Sequence, residues 1–160
     1  MTFQIEDNST LSREEVEKKH KEWMQQEYTK TVQYCNRLGF QVDRVMQTES
    51  QCLPPIIGIW RVRLKDDSAR YIWVISGQVA TDHIHADNAK TPREVLRHFS
   101  LSWQLKAERL QQGLETGKLE LKDAETQKKF AATLIQNADN LYGLYENDKL
   151  WQQTIKTMKI

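Results

Sequence analysis

The order of hydrophobic patterns along this chain predicts an α+β fold: a small antiparallel sheet packed by a long N-terminal helix and a C-terminal helical set. Three observations carry that expectation. A helical stripe comes first, two extended apolar runs around a polar turn fill the middle, and helical stripes return after Thr91. A doubly wound parallel sheet would instead alternate strand and helix throughout.

The first helix is announced by Ser12-Arg13-Glu14-Glu15, a capping box in which Ser12 accepts from the amide three residues on and Glu15 reaches back. Val16, Trp23, Met24, Tyr28, Val32, Cys35 and Leu38 then recur at three-and-four spacing, and Gly39 supplies a left-handed stop. A strand is expected near residues 41–50, although Val42, Val45 and Met46 do not alternate cleanly. Pro54-Pro55 forbids helix and is read as delivering the chain extended into a hairpin of residues 56–64 and 70–76. Pairing Leu64 with Tyr71 places Val62 opposite Trp73 and Trp60 opposite Ile75, so that these six share one face.

Thr91-Pro92-Arg93-Glu94 is a second capping box with proline at the first helical position. One stripe of the following helix holds Val95, Leu96, Phe99, Trp103, Ala107, Leu110 and Leu114. Leu101 and Leu105, with His98 beside them, form a second stripe, so this helix is expected to pack on two sides, between the sheet and the other helices, and to end at Gly117. Asp123 is read as capping a third helix along Phe130, Ala131, Leu134, Ile135, Ala138, Leu141 and Tyr145. Asn147-Asp148 breaks it before a short final helix with Leu150, Trp151 and Ile155. Residues 1–10 are read as a flexible lead and 11–160 as one α+β domain.

At 160 residues such a chain buries roughly two thirds of its unfolded surface, so neither metal nor disulfide is needed to hold it together. Lys and Arg number 23 against 22 Asp and Glu, which removes the electrostatic footprint of a general nucleic-acid binder. The polar start lacks the basic residues and apolar run of a signal peptide, and no stretch reaches the length of a membrane span. A cytoplasmic protein with no nucleic-acid or membrane partner is expected. Cys35 and Cys52 lack the neighbours of a zinc site and read as reduced thiols, Cys35 in the packing and Cys52 in a more exposed loop.

Chemistry concentrates between the hairpin and the second long helix. In an extended segment His83, His85 and Asp87 project alike and could converge on one cation, as in part of the His-x-His-x-Asp-His motif of metallo-β-lactamase-like hydrolases. Asn88 stands where the next His of that motif belongs, and only His98 follows. Ser76, Ser100 and Cys52 have no nucleophile-elbow glycines, and neither a dinucleotide fingerprint nor a P-loop occurs, so no cofactor is expected. Arg93 and Arg97, four apart at a helix N-terminus, could receive a small anionic ligand or an acidic partner.

Tyr71-Ile72-Trp73-Val74-Ile75-Ser76-Gly77, Thr81-Asp82-His83-Ile84, Arg93, Leu96-Arg97-His98-Phe99-Ser100, Trp103-Gln104 and Lys106-Ala107-Glu108 form a distinctive series, preceded by Pro54-Pro55 and Trp60. This series resembles a family of small bacterial proteins known only as a domain of unknown function. The resemblance implies a bacterial, cytoplasmic protein and brings no activity with it. Where that pattern has Pro before Thr-Asp this chain has Ala80, and the position of His85 is not fixed as His, so a metal site resting on His85 would not be a family property.

The expectation is therefore a non-catalytic binding or accessory module for a protein partner or small ligand. Its candidate surface comprises Thr81, Asp82, His83, His85, Asp87, Arg93, Arg97 and His98. The alternative is a small metal-assisted hydrolase using residues 82–87. An exposed edge strand or an uncovered Trp151 face would favour a homodimer.

Overall fold

The computed structural model describes residues 3–5, 7–66, 68, 70–115 and 121–152. Gly117 and Ile155, read above as a helix stop and part of the final helix, lie outside the described residues. Two compact units emerge, residues 3–92 and residues 93–152. The first carries helix α1 (Arg13–Arg37) and strands β1 (Val42–Val45), β2 (Gln51–Leu53), β3 (Ile57–Leu64), β4 (Tyr71–Gly77) and β5 (Asp82–His85), then a 3-10 turn (Ala86–Asn88). Helices α2 (Pro92–Glu115), α3 (Leu121–Glu146) and α4 (Asp148–Gln152) make up the second.

Helix α1 starts and stops as its sequence dictates. Ser12 Oγ accepts from the Glu15 amide at 3.2 Å, and Gly39, at φ 83°, lets Phe40 N–H return to Cys35 O at 3.0 Å. Trp23, Met24, Tyr28, Val32 and Cys35 face the sheet, whereas Leu38 ends outside, about half exposed. Glu27 and Thr31, polar residues of the same stripe, are buried with it.

All five strands are antiparallel, ordered β1-β3-β4-β5 with β2 also on β3. The expected hairpin is present, but its register is one residue away from the one expected. Leu64 N–H donates to Arg70 O, Arg63 faces Tyr71, Val62 faces Ile72 and Trp60 faces Val74. Because side chains alternate, that slip moves Tyr71, Trp73 and Ile75 to the opposite face. β4 is apolar at every position from Tyr71 to Ile75, so its pattern alone leaves the register undetermined. Other groups determine it. Asp66 accepts from both the Arg70 amide and its guanidinium across the turn, and those bonds hold the Asp66 carboxyl down to about 2, against the raising effect of desolvation. Arg61 lies over the rings of Tyr71 and Trp73, 4.9 and 5.3 Å from their centroids, which fixes it on their face.

The face toward α1 consequently gathers Trp60, Val62, Leu64, Ile72 and Val74 with Val45, Cys35 and Cys52. Trp60 donates its indole N–H to Ser76 Oγ at 3.0 Å and meets Tyr28 edge-on. Gly58 makes the room: a Cβ there would stand 2.5 Å from Trp60 Nε1. On the opposite face Ile57, Ile59, Trp73 and Ile75 are buried, and Trp73 Nε1–H donates to Ala89 O.

The strand expected near residues 41–50 is present as β1, followed by a turn and by β2, a strand the sequence reading did not include. Two further expectations change. Pro54-Pro55 does not run extended. It turns the chain between β2 and β3, with a cis peptide and Ile56 N–H on Leu53 O, because proline φ and the missing donor suit a tight reversal. Cys52 lies in β2 and is buried, since its strand pairs with β3 beneath α1.

In the second unit Val95, Leu96, Phe99, Trp103 and Ala107 of α2 are buried as expected, as are Ala131, Leu134, Ala138 and Leu141 of α3. Ser100 Oγ–H donates to Ala138 O, joining the two helices at a point where both are buried. The second stripe of α2 is not packed: Leu101 and Leu105 are 49% and 47% exposed. Two leucines one turn apart, bordered by Arg97, Gln104, Glu108 and Arg109, are too narrow a strip to bury a helix face. Asn147 separates α3 from α4 and caps the latter, its side chain accepting from Leu150 N–H.

The glycines offer a test of the indole seat. Gly58→Ala should lower the unfolding free energy by about 2 kcal/mol in urea melts, because the new methyl displaces the indole from Ser76. Gly39→Ala should cost about 1 kcal/mol, from its positive φ alone, since no atom lies within 4 Å of the added Cβ. Equal losses at the two positions would show that Trp60 tolerates displacement.

Candidate functional site

The polar segment after β4 is fixed at its start by Gly77. Its φ is 115°, and a Cβ there would strike the Ile56 carbonyl, so the chain passes against the entry to β3. Gln78 continues the contact, donating its amide to Ile56 O while its side chain exchanges hydrogen bonds with the Gln4 backbone and reaches Pro55 O. The chain then turns back as β5, pairing His83 with Val74 and His85 with Ile72.

Alternation settles which groups face where. Val74 and Ile72 look toward α1, so His83 and His85 share that side, and Asp82 and Ile84 take the other. His83 is half-buried. Its Nδ1 shares a 2.8 Å hydrogen bond with the Tyr34 hydroxyl, and its ring meets Phe40 edge-on at 5.3 Å. Backbone parity gives a second result. Even-numbered residues of β4 bond to β3, as the Arg70 and Gln78 contacts show, so odd-numbered ones bond to Ile84 and Asp82. The amide of His83 therefore points away from the sheet, and the Asp82 carboxylate accepts it at 2.8 Å.

His85 is exposed and Asp87 more so. The Asp87 amide donates to His85 Nδ1 at 3.1 Å, and Asp87 Oδ2 lies 3.3 Å from the same nitrogen. A nitrogen accepting the amide cannot also donate to the carboxylate, so we read this as a cap on the 3-10 turn and not an ion pair. The extended segment ends at His85, and Asp87 turns out of the alternation that the sequence suggested. Among the described residues no three His, Cys, Asp or Glu side chains stand together as a metal set, so His83, His85 and Asp87 are not brought together for one cation. Thr81 is half-buried at the entry to β5.

Arg93, Arg97 and His98 belong to the other unit. Arg93 is committed to the end of the helical set: Nε–H donates to Tyr145 O at 2.8 Å, Nη2 pairs with Asp148, and the guanidinium covers the rings of Tyr145 and Trp151. Trp151 also donates to Leu144 O and is half-buried. Arg97 is exposed, and its positive charge reaches Tyr142. His98 is half-buried against Phe99.

Neither thiol is prepared for nucleophilic work. Burial pushes Cys35 up to about 11, and burial followed by the charge of Glu27 pushes Cys52 higher. Glu27 itself bonds Lys30 through one oxygen, while its Oε2 and Thr31 Oγ1 are buried with no hydrogen-bond partner among the described residues. Sequence reading missed Tyr34 and Phe40 as neighbours of His83. They lie over forty residues upstream on a different element, and no spacing rule connects them.

Comparison with known proteins adds one finding. Residues 17–151 match the family described as "Domain of unknown function (DUF4826)". No curated protein and no solved structure matches the chain.

Tyr34 carries a pH signature. Burial first, then the charges of Asp82 and Cys35, push its hydroxyl from 10.0 up to about 12, and Cys35 rises from 9.0 to about 11. Both groups lose their protons more readily in the unfolded chain, so stability is complete below pH 9 and falls as pH rises through 11 and toward 12. Urea midpoints measured from pH 8 upward should show that decline. Tyr34→Phe should flatten its upper part and cost about 1 kcal/mol at pH 7 through the lost bond to His83. An unchanged slope would place the ionising group elsewhere.

Proposed function

We propose that this chain, which belongs to the DUF4826 family, is a non-catalytic protein-interaction module that recognises its partner through β5 and the 3-10 turn after it. One observation carries the reading: the polar groups of this segment are held by one another and by α1, not aimed at a common point. His83 is tied to Tyr34, the His83 amide to Asp82 and the Asp87 amide to His85, which leaves His85 and Asp87 displayed on a fixed backbone.

Such an arrangement suits recognition, because groups already ordered cost little further entropy when a partner docks. It suits reaction chemistry poorly. A base or ligand set needs side chains converging within hydrogen-bond reach of one substrate atom, and among the described residues no three His, Cys, Asp or Glu side chains gather in that way. The backbone of β5 is also partly closed, since Asp82 occupies the His83 amide, so recognition through side chains is favoured over addition of a strand. Arg93 directs its donors to Asp148 and Tyr145 and supports α4.

A photo-crosslinking residue at position 85 or 87, in the cells the protein comes from, should give a discrete protein adduct. His83→Ala, which frees the strand from Tyr34, should reduce its yield several-fold. No adduct at either position, together with metal-dependent hydrolysis of ester, amide or phosphoester probes by the purified protein, would replace this reading with an enzymatic one.

A further inference from the structure

His85 Nδ1 stands before two groups of one residue: the Asp87 amide donates to it at 3.1 Å, and Asp87 Oδ2 lies 3.3 Å away. The two contacts exclude one another. An amide only donates, so it needs the nitrogen without a proton, whereas a carboxylate only accepts, so it needs the nitrogen with one. His83 is under no such constraint, because the Tyr34 hydroxyl at its Nδ1 can donate to it or accept from it. Of the elements that meet β5, β4 offers Tyr71, which lies on the far face with Asp82, and α1 offers Tyr34, which is engaged with His83. The charge beside His85 is that of Asp87.

We infer that His85 and Asp87 form a pH-operated exchange that regulates the surface at the end of β5. While the ring is neutral its proton sits on Nε2, Nδ1 accepts the Asp87 amide, and the Asp87 carboxylate is displayed as an anion. A proton taken from solvent onto Nδ1 breaks that bond and lets Nδ1–H donate to Oδ2 instead. The pair then passes from one negative charge to none, and the 3-10 turn loses its cap. Histidine is the side chain that makes such a change between about pH 5 and 8. Acid therefore masks the anion and releases the backbone on which it is shown, which weakens docking. That consequence rests on the partner surface proposed above; the exchange itself does not.

Nitrogen-resolved NMR of the full chain, titrated from about pH 8 to about pH 5, reads the exchange directly. At the upper end His85 Nδ1 should carry no proton, and the Asp87 amide resonance should then move in step with the ring. In His85→Asn, whose Oδ1 takes the place of Nδ1 and accepts at any pH, that amide should stay still over the same range. A proton on Nδ1 at the upper end, or an Asp87 amide indifferent to the ring, would overturn the inference. The regulatory part is read with a photo-crosslinking residue at the exposed position 88, applied to extracts of the source cells. Adduct yield should fall several-fold between the same two limits, and in His85→Asn it should hold. An equal fall in both proteins would overturn regulation by this pair. No adduct at any pH would count against β5 as a docking surface, and the amide titration alone would then decide the exchange.

Discussion

The indole of Trp60 lies where Gly58 withholds a side chain, donates to Ser76 across the hairpin, and meets Tyr28 of α1 edge-on. Three elements are thereby referred to one ring. Ser76 reaches that nitrogen because Gly58 faces it, and a shift of one residue would carry the hydroxyl to the other side of the sheet. The pairing of β3 with β4 then assigns Ile72 and Val74 to the helix side, and β5 inherits the same phase through its pairing with them. His83 therefore meets Tyr34 and Phe40 as a consequence of where Trp60 sits.

Polar groups complete what apolar burial leaves open. β4 is buried on both faces, so hydrophobicity cannot tell one register from its neighbour. Arg61 can, because its guanidinium lies over Tyr71 and Trp73 while its Nε is paired with Glu49 at 3.0 Å. Ser50 adds to this, taking the Arg61 amide and donating to Met46 O, so the turn before β2 is tied to the middle of β3. Each of these bonds is individually modest, roughly 1 kcal/mol, but together they penalise the wrong pairing.

Much of the fold was legible because its signals are local. The Ser12 box, the Gly39 stop, the Thr91-Pro92 start and the Asn147 break each depend on residues within one turn of chain, and each falls where the residues predict. What was not legible depends on partners far away in sequence. The hairpin register required Arg61 and Asp66, the burial of Cys52 required an unforeseen β2, and Leu101 with Leu105 looked like a packed stripe only because their flanking charges were given too little weight. The polar segment was found as a place, since its histidines and aspartates are dense. Its internal wiring, with Tyr34 on His83 and Asp82 on a neighbouring amide, is a tertiary outcome that no spacing encodes.

That last contact has a bearing on how the molecule behaves among its own kind. β5 closes the described strand order, and an open last strand invites another chain to continue the ladder without limit. Asp82 puts an anion in the path of such a chain and satisfies the amide it would have used. Sheet-wise polymerisation is discouraged at its first step.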